Sequence, residues 1–262
     1  MSRAVFRFYE ELNDFLPPGQ RRVELEHRFD RRASVKDMIE ALGVPHAEVE
    51  MILVDGEPVG FDHIVRDGER VSVYPVFESL DLPGHMRVRP RPLREIRFVL
   101  DAQLGTLARY LRLCGFDTLY RNDWDDGELA RIAAETGRVL LTRDRDLLKR
   151  RLVTRGHFVR SDRPRDQAVE VVRRFDLAGR IEPFARCSHC NGRLDDVDKA
   201  AIVERLRPLT RRYYDRFRRC SDCGRIYWHG SHAERIERLL ADIRAAAASP
   251  PDRSGGARSP SR

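Results

Sequence analysis

Over the first eighty residues, apolar and polar positions alternate in short stretches, the pattern of half-buried strands. Val5 to Arg7, with Phe6, Phe8 and Tyr9 beside them, forms one stretch, and Val23, Leu25, His27 and Phe29 form a second. Between this pair and the next lies a helix. Val35, Met38, Ile39 and Leu42 recur at helical spacing, Ser34 with Asp37 three residues on resembles a capping box, and Gly43 supplies the stop. Two further strands follow, Val49 to Val54 into the turn Asp55-Gly56, then Arg70 to Phe77.

Strand, strand, helix, strand, strand is the order of a small α+β module that looks like a β-grasp, ubiquitin-like fold, and it assigns residues 1–80 to one domain. Residues 81–95 carry Pro83, Pro90 and Pro92 among a basic cluster and read as an exposed linker. Beyond it the periodicity changes. Ile96 to Leu100 is an apolar strand ending in Asp101, and Leu104, Leu107, Ala108 and Leu111 form the stripe of a helix that stops at Gly115. Strand 117–120, helix 126–136, strand 138–142 and a helical start at 144–150 continue the alternation. Such alternation predicts an α/β domain with a parallel sheet over residues 96–180. Residues 181–246 hold two cysteine pairs, an expected helix at 199–206 and a last helix at 233–246; the Ser-, Pro-, Gly- and Arg-rich tail 247–262 is expected to be disordered. No internal repeat is evident.

Charge separates these parts. Residues 1–80 hold 10 Lys and Arg against 16 Asp and Glu, net −6, whereas the remainder holds 39 against 26, net +13. A basic half attracts polyanions such as nucleic acid, although an arginine-rich composition alone produces the same surplus. No run of eighteen apolar residues exists and the sequence MSRAVFRFYEEL has no apolar segment of the secretory kind, so no membrane partner and a cytoplasmic location are expected.

The acids carry the candidate chemistry. Parallel α/β sheets place ligands beyond the carboxyl ends of their strands, where Asp101 and the pair Asp144 and Asp146 fall. Carboxylates gathered there repel each other unless a cation neutralises them, and oxygen donors of this kind suit Mg²⁺ or Mn²⁺. Asp126, with Glu128 beside it, offers a further ligand. Taken singly, each acid also has a plain structural reading, because Asp caps helices and Asp126 and Asp144 sit where helices are expected to start. Asp123 and Asp125 read as a polar loop, and Glu128 as a solvated first-turn residue.

The run FVLDAQLGTLARYLRLCGFDTLYRNDWDDGELARIAAETGRVLLTRDRDLL resembles the Mut-seven C-terminal RNase family, a branch of the PIN-like nucleases, and RCSHCNGRL with YYDRFRRCSDCGRIYWHGSH resembles the zinc ribbon that accompanies it. The resemblance spans roughly residues 95–232. The family also occurs with an N-terminal ubiquitin-like domain similar to sulfur-carrier β-grasp proteins. What the resemblance implies is metal-dependent hydrolysis of single-stranded RNA at Asp101, Asp126 and Asp144, with Asp146 adjacent. Many PIN relatives have Glu at the second acidic position, which leaves Asp126 and Glu128 both open.

Cys187-x-x-Cys190 and Cys220-x-x-Cys223 supply four thiolates at the spacing of two knuckles closing on one tetrahedral Zn²⁺. Four sulfurs leave no open position, so this zinc is expected to be structural. A dithiol redox switch is the competing reading, but redox pairs usually come singly. His189, His229 and His232 read as polar surface or RNA contacts, and Cys114 as a buried core thiol.

For phosphate contact the best-placed cations are Arg143, Arg145 and Lys149, with Arg150 and Arg151 behind them. Arg211 to Arg219 interleaves cations with Tyr213, Tyr214 and Phe217, and Tyr227 and Trp228 extend it, a composition suited to stacking on unpaired bases. Packing over the metal knuckles explains Tyr213, Phe217 and Trp228 equally simply. The first domain lacks a free Gly-Gly end where it meets the linker, so covalent sulfur carriage is not expected; its acidic surface suggests docking of a protein partner or autoinhibition. Against the metal-dependent RNase stand two alternatives, a non-catalytic RNA-binding adaptor with a β-grasp recruiting domain, and a toxin-like nuclease held in check.

Overall fold

A computed structural model describes residues 1–75, 88 and 95–249. The expected extension of the last β-grasp strand through Val76 and Phe77, most of the linker and the tail from residue 250 lie outside the described residues. Contacts divide the chain into two compact units, Met1–Ala108 with Asp117–Arg160, and Arg109–Phe116 with the chain from Ser161 onward.

The first unit opens with β1 (Ser2–Phe8), β2 (Leu25–Phe29), α1 (Val35–Ala41), β3 (Val49–Val54), β4 (Glu57–Pro58) and β5 (Arg70–Pro75). They form a five-stranded sheet in the order β2-β1-β5-β3-β4, with β1 parallel to β5 at its centre and the other pairs antiparallel. This is the β-grasp. Phe6, Phe8, Ile39, Ile52 and Val73 are all but sealed from solvent between sheet and helix, each worth roughly 1.5–3 kcal/mol of burial. Ser34 Oγ accepts from the Asp37 N–H at 3.2 Å, starting α1 as the capping pattern requires, and Gly43 ends it at φ 99°. β2 begins at Leu25 rather than Val23, which is 46% exposed. The cause is the connection before it, two 3₁₀ turns at Glu10–Phe15 and Pro18–Gln20. The buried Asn13 amide holds that connection, donating to the Phe8 and Glu10 carbonyls and accepting from the Arg22 N–H.

The same unit continues with β6 (Phe98–Leu100), α2 (Gly105–Leu113, which runs on into the second unit), β7 (Thr118–Tyr120), α3 (Asp126–Thr136), β8 (Val139–Thr142), α4 (Arg145–Lys149) and β9 (Gly156–Phe158). All strands are parallel, in the order β7-β6-β8-β9. Continuous apolar runs such as Phe98-Val99-Leu100 and Val139-Leu140-Leu141 are what a sheet covered on both faces demands. β9 was not expected, because three residues beginning at a glycine show no periodicity. A Cβ on Gly156 would overlap Leu148 and lie 3.2 Å from the Leu140 carbonyl, so only glycine lets this strand approach.

Within this unit the β-grasp is fused to the sheet through β9. The 3₁₀ turn His46–Glu48 places Ala47 in the cluster of Val99, Leu140 and Leu148. Glu48 is fully buried, accepts the Phe158 N–H and lies 3.5 Å from His157 Nδ1. Phe15 meets Phe158 edge to face at 5.7 Å.

The second unit holds α5 (Pro164–Arg174), β10 (Leu194–Val197), α6 (Pro208–Tyr213), β11 (Phe217–Cys220), β12 (Ile226–Trp228) and α7 (Ser231–Ala248). The strands form an antiparallel ribbon in the order β10-β11-β12. Arg173 on α5 donates to the Ala246 and Ala247 carbonyls at the end of α7, joining the two helices. The helix expected at 199–206 is instead two 3₁₀ turns, Lys199–Ala201 and Val203–Arg205. Of that segment only Ile202 is fully buried, so there is no stripe to hold a longer helix against the ribbon.

Candidate active site and metal centre

The order β7-β6-β8-β9 reverses direction between β6 and β8, because the chain goes from β6 out to β7 and then back across to β8. That is the topological switch point, where the connections leave a crevice beyond the carboxyl ends of two adjacent strands. Asp101 follows β6 and Asp144 lies two residues beyond β8. The Asp101 N–H extends the ladder to the Leu141 carbonyl at 3.1 Å, which aligns the two strand ends.

One buried side chain links the two acids. Thr142, fully buried at the end of β8, donates its hydroxyl to Asp101 Oδ2 at 2.8 Å and accepts the Asp144 N–H on the same oxygen at 2.9 Å. Asp144 also caps α4, its Oδ1 accepting from the Asp146 and Leu147 N–H groups. The structural reading of Asp144 as a cap is therefore correct, and it leaves Oδ2. Asp101 begins a 3₁₀ turn without a side-chain cap bond. Each carboxylate keeps one oxygen that no hydrogen bond among the described residues occupies. Thr142 had no role in the sequence reading; its signal was a lone hydroxyl closing an otherwise apolar strand.

The other acids are placed differently. Asp125, read as loop, is the actual cap of α3 and accepts the Glu128 N–H at 2.8 Å, while Asp126 occupies the first helical position. Asp126 pairs with Arg150 at 3.3 Å. The Asp146 side chain is 91% exposed and pairs with Lys149. Among the described residues Asp101, Asp126 and Asp144 do not bring three ligand atoms within 4.8 Å of one another, whereas Asp101 and Asp144 follow the adjacent strands β6 and β8. Arg145 turns to the β-grasp. Its guanidinium lies over the rings of Phe15 and Phe158 at 5.3 and 5.6 Å and donates to the Phe15 carbonyl. Arg160 beside it pairs with Asp14 at 3.0 Å. Arg143 is half-buried next to Asp144.

The four cysteine sulfurs all lie within 4.8 Å of one another. Cys187 and Cys223 are 3.6 Å apart, and Cys190 and Cys220 3.4 Å. Zinc–sulfur bonds of about 2.3 Å in a tetrahedron require sulfur separations of about 3.8 Å, so the donor set fits zinc. Local backbone builds both knuckles. Cys187 donates its N–H to the Gly192 carbonyl and Cys220 donates to the Arg225 carbonyl. A Cβ on Gly192 would come within 2.8 Å of Cys220 Sγ, which explains the glycine. Burial pushes the Cys187 thiol up, but hydrogen bonds from Tyr227, at 3.0 Å, and from backbone N–H groups outweigh it and bring it down to about 7. Burial pushes Cys190 up to about 12.

Of the aromatic residues, Phe217 is buried, as the packing reading has it, but Tyr213 and Trp228 are 65% and 40% exposed. His189 offers its carbonyl to Arg112, and His229 pairs with Glu237 at 2.9 Å. Cys114 is fully buried, as expected. Among the described residues no helix is long and apolar enough to cross a membrane.

Two family models match. One described as the Mut7-C RNAse domain covers residues 96–240, and one described as Mut7-C ubiquitin covers residues 1–81. No curated protein and no solved structure matches.

Proposed function

The chain belongs to the Mut7-C RNAse domain family and carries that domain behind a Mut7-C ubiquitin domain, and from this premise we propose that it is a metal-dependent ribonuclease hydrolysing phosphodiester bonds of single-stranded RNA at Asp101 and Asp144. The observation that carries the reading is the Asp101–Thr142–Asp144 linkage at the switch point of the parallel sheet. Two half-buried acids from the ends of adjacent strands, the carboxylate of one and the backbone N–H of the other tied to a single hydroxyl, form a preorganised acidic edge. Mg²⁺ typically takes one or two protein carboxylates and keeps several waters, so hard oxygen donors in this number suit Mg²⁺ or Mn²⁺.

When bound, such an ion polarises the scissile phosphate and lowers the pKa of water. The chain's own groups do the rest. Asp101 and Asp144 supply the ligand oxygens, and Thr142 fixes the first carboxylate and the backbone of the second. Asp144 keeps α4 pointed at the crevice, because its cap bonds start that helix. Arg143, the residue before Asp144, adds positive charge at this edge of the sheet. Arg145 and Lys149, engaged with the β-grasp aromatics and with Asp146, support the wall of the site more directly than the substrate. The third acid is Asp126 or Glu128, both half-buried at the start of α3.

The four cysteines hold a structural zinc, the ubiquitin-like domain offers a surface to a protein partner, and the location is cytoplasmic. Purified protein with Mn²⁺ is expected to cleave single-stranded RNA in preference to duplex, and to lose cleavage on chelation of Mn²⁺ and in Asp144→Asn, where asparagine still caps α4. Undiminished cleavage by that variant refutes the site. Comparison of Asp126→Asn with Glu128→Gln identifies the third acid by the larger loss.

A further inference from the structure

The ribbon carries a cavity that the acidic site does not use. It measures 670 Å³, within the range of small-ligand sites, and lies in the second unit between the segment before the first knuckle and strands β10 to β12. Phe184, Trp228 and His229 contribute ring surface to its wall. An indole 40% exposed on a three-residue strand belongs to no core, since the ribbon's own cluster consists of Cys187, Leu194 and Cys220 with Phe184, Cys190 and Tyr227 around them.

Phe184 adds a second observation. It sits at φ 61°, a left-handed conformation that is costly for a bulky residue and persists only where surrounding bonds impose it. Arg218 imposes it here, donating to the Phe184 carbonyl at 2.9 Å while also holding Asp196 at 3.0 Å. The ring is thereby kept beside the cavity, 6.3 Å from the His229 ring.

The polar lining selects the ligand. Asp196 is matched by Arg218, and Asp215 by Lys199 at 2.7 Å, so the cavity presents donors and acceptors together and almost no net charge. A free inorganic anion would meet the carboxylates and is disfavoured. A nucleobase has the complementary character, an apolar face for stacking and an edge of mixed donors and acceptors. A cation suited to the attached phosphate stands in the cavity wall itself, in the exposed Arg216, which offsets Asp198 in the same lining.

We propose that this cavity is a base-binding subsite for single-stranded RNA, in which an unpaired base stacks on Trp228 and Phe184 and its edge meets the Asp196 and Lys199 side chains. The choice of RNA rests on the ribonuclease reading; the existence of a stacking pocket does not. Tyr227 lines the same cavity and touches Cys187 Sγ at 3.0 Å, so the subsite is built on the metal knuckle and depends on it.

The test uses the full zinc-loaded chain carrying Asp144→Asn and Trp124→Phe, so that Trp228 is the remaining tryptophan. Short oligouridylate and oligoadenylate are expected to quench its fluorescence saturably, with no quench by inorganic phosphate or by an acidic peptide. Polarisation of labelled RNA is expected to give roughly tenfold weaker binding for Trp228→Ala, with recovery in Trp228→Phe and zinc content unchanged. Equal RNA affinity in Trp228→Ala, or the same quench from phosphate or peptide, overturns the proposal. The two readings fail separately. Cleavage by the otherwise native chain with unchanged KM in Trp228→Ala removes the subsite and keeps the nuclease, whereas Trp228-dependent RNA binding without any cleavage keeps the subsite and removes the nuclease.

Discussion

Thr142 donates its hydroxyl to Asp101 across adjacent parallel strands at 2.8 Å, and so a residue with no charge sets the position of the acid that follows β6. Because the same oxygen accepts the Asp144 N–H, its removal is felt on both sides. Thr142→Val preserves shape and removes the hydroxyl, leaving Asp101 and the Asp144 N–H short of a partner. We expect a stability loss of about 1–3 kcal/mol in urea unfolding, together with a fall in kcat and a higher Mn²⁺ requirement at little change in KM. Thr142→Ser should restore most of both. A variant with normal metal dependence would make Thr142 merely a packing residue.

Glu48 tests whether the ubiquitin-like domain is part of the catalytic unit. It is fully buried, accepts the Phe158 N–H and faces His157 and Arg160. Loss of one partner from a buried charged cluster typically costs about 3–5 kcal/mol. Glu48→Ala should therefore lower the unfolding midpoint of the whole first unit in a single transition, followed by near-UV circular dichroism and by activity. Rising activity would instead mark the domain as a restraint, the toxin-like alternative.

The four-cysteine site predicts one zinc per chain by atomic absorption. Structural zinc in small finger peptides contributes about 10–16 kcal/mol apparent, and the ribbon has a core of only a few side chains. A strong chelator, or Cys220→Ser, should expose the ribbon to proteolysis. Thiols must shed their protons to ligate, and with Cys190 pushed up to about 12 by burial, zinc uptake should release protons and zinc affinity should fall as pH falls. Zinc-independent protease resistance would contradict this.

Cys114 gives an alkaline signature. Burial raises its thiol from 9.0 to about 12. The unfolded chain sheds this proton near pH 9 while the folded chain keeps it, so in that window the unfolded state binds fewer protons and stability falls as pH rises. The slope is on the order of 1 kcal/mol per pH unit. Urea midpoints for the native chain and Cys114→Ala should converge as pH rises, and the native thiol should resist iodoacetamide until the chain unfolds.

Much of this architecture was legible in the residues themselves. Ser34 with Asp37, the apolar strands at 98–100 and 139–142, and the paired cysteines each act through local chemistry, and each stands where its pattern puts it. The unread features depend on distant partners. β9 is defined by its pairing with β8 and by the contact of its Phe158 with Phe15, and Arg145 looks like a phosphate ligand until its guanidinium is found over the rings of Phe15 and Phe158. Spacing brought Asp101 and Asp144 to one sheet edge, but not Asp126, whose Arg150 partner comes from the far end of α4.

A double-mutant comparison tests the shared acidic centre most directly. Single-turnover cleavage of a labelled single-stranded RNA with Mn²⁺ would be measured for the native chain, Asp101→Asn, Asp144→Asn and the double variant, each verified as folded. Groups that act as one unit are strongly non-additive, so each single change should abolish most of the rate and the double change should cost little more. Full activity in either single variant, or losses that simply multiply, would contradict a common site at the ends of β6 and β8.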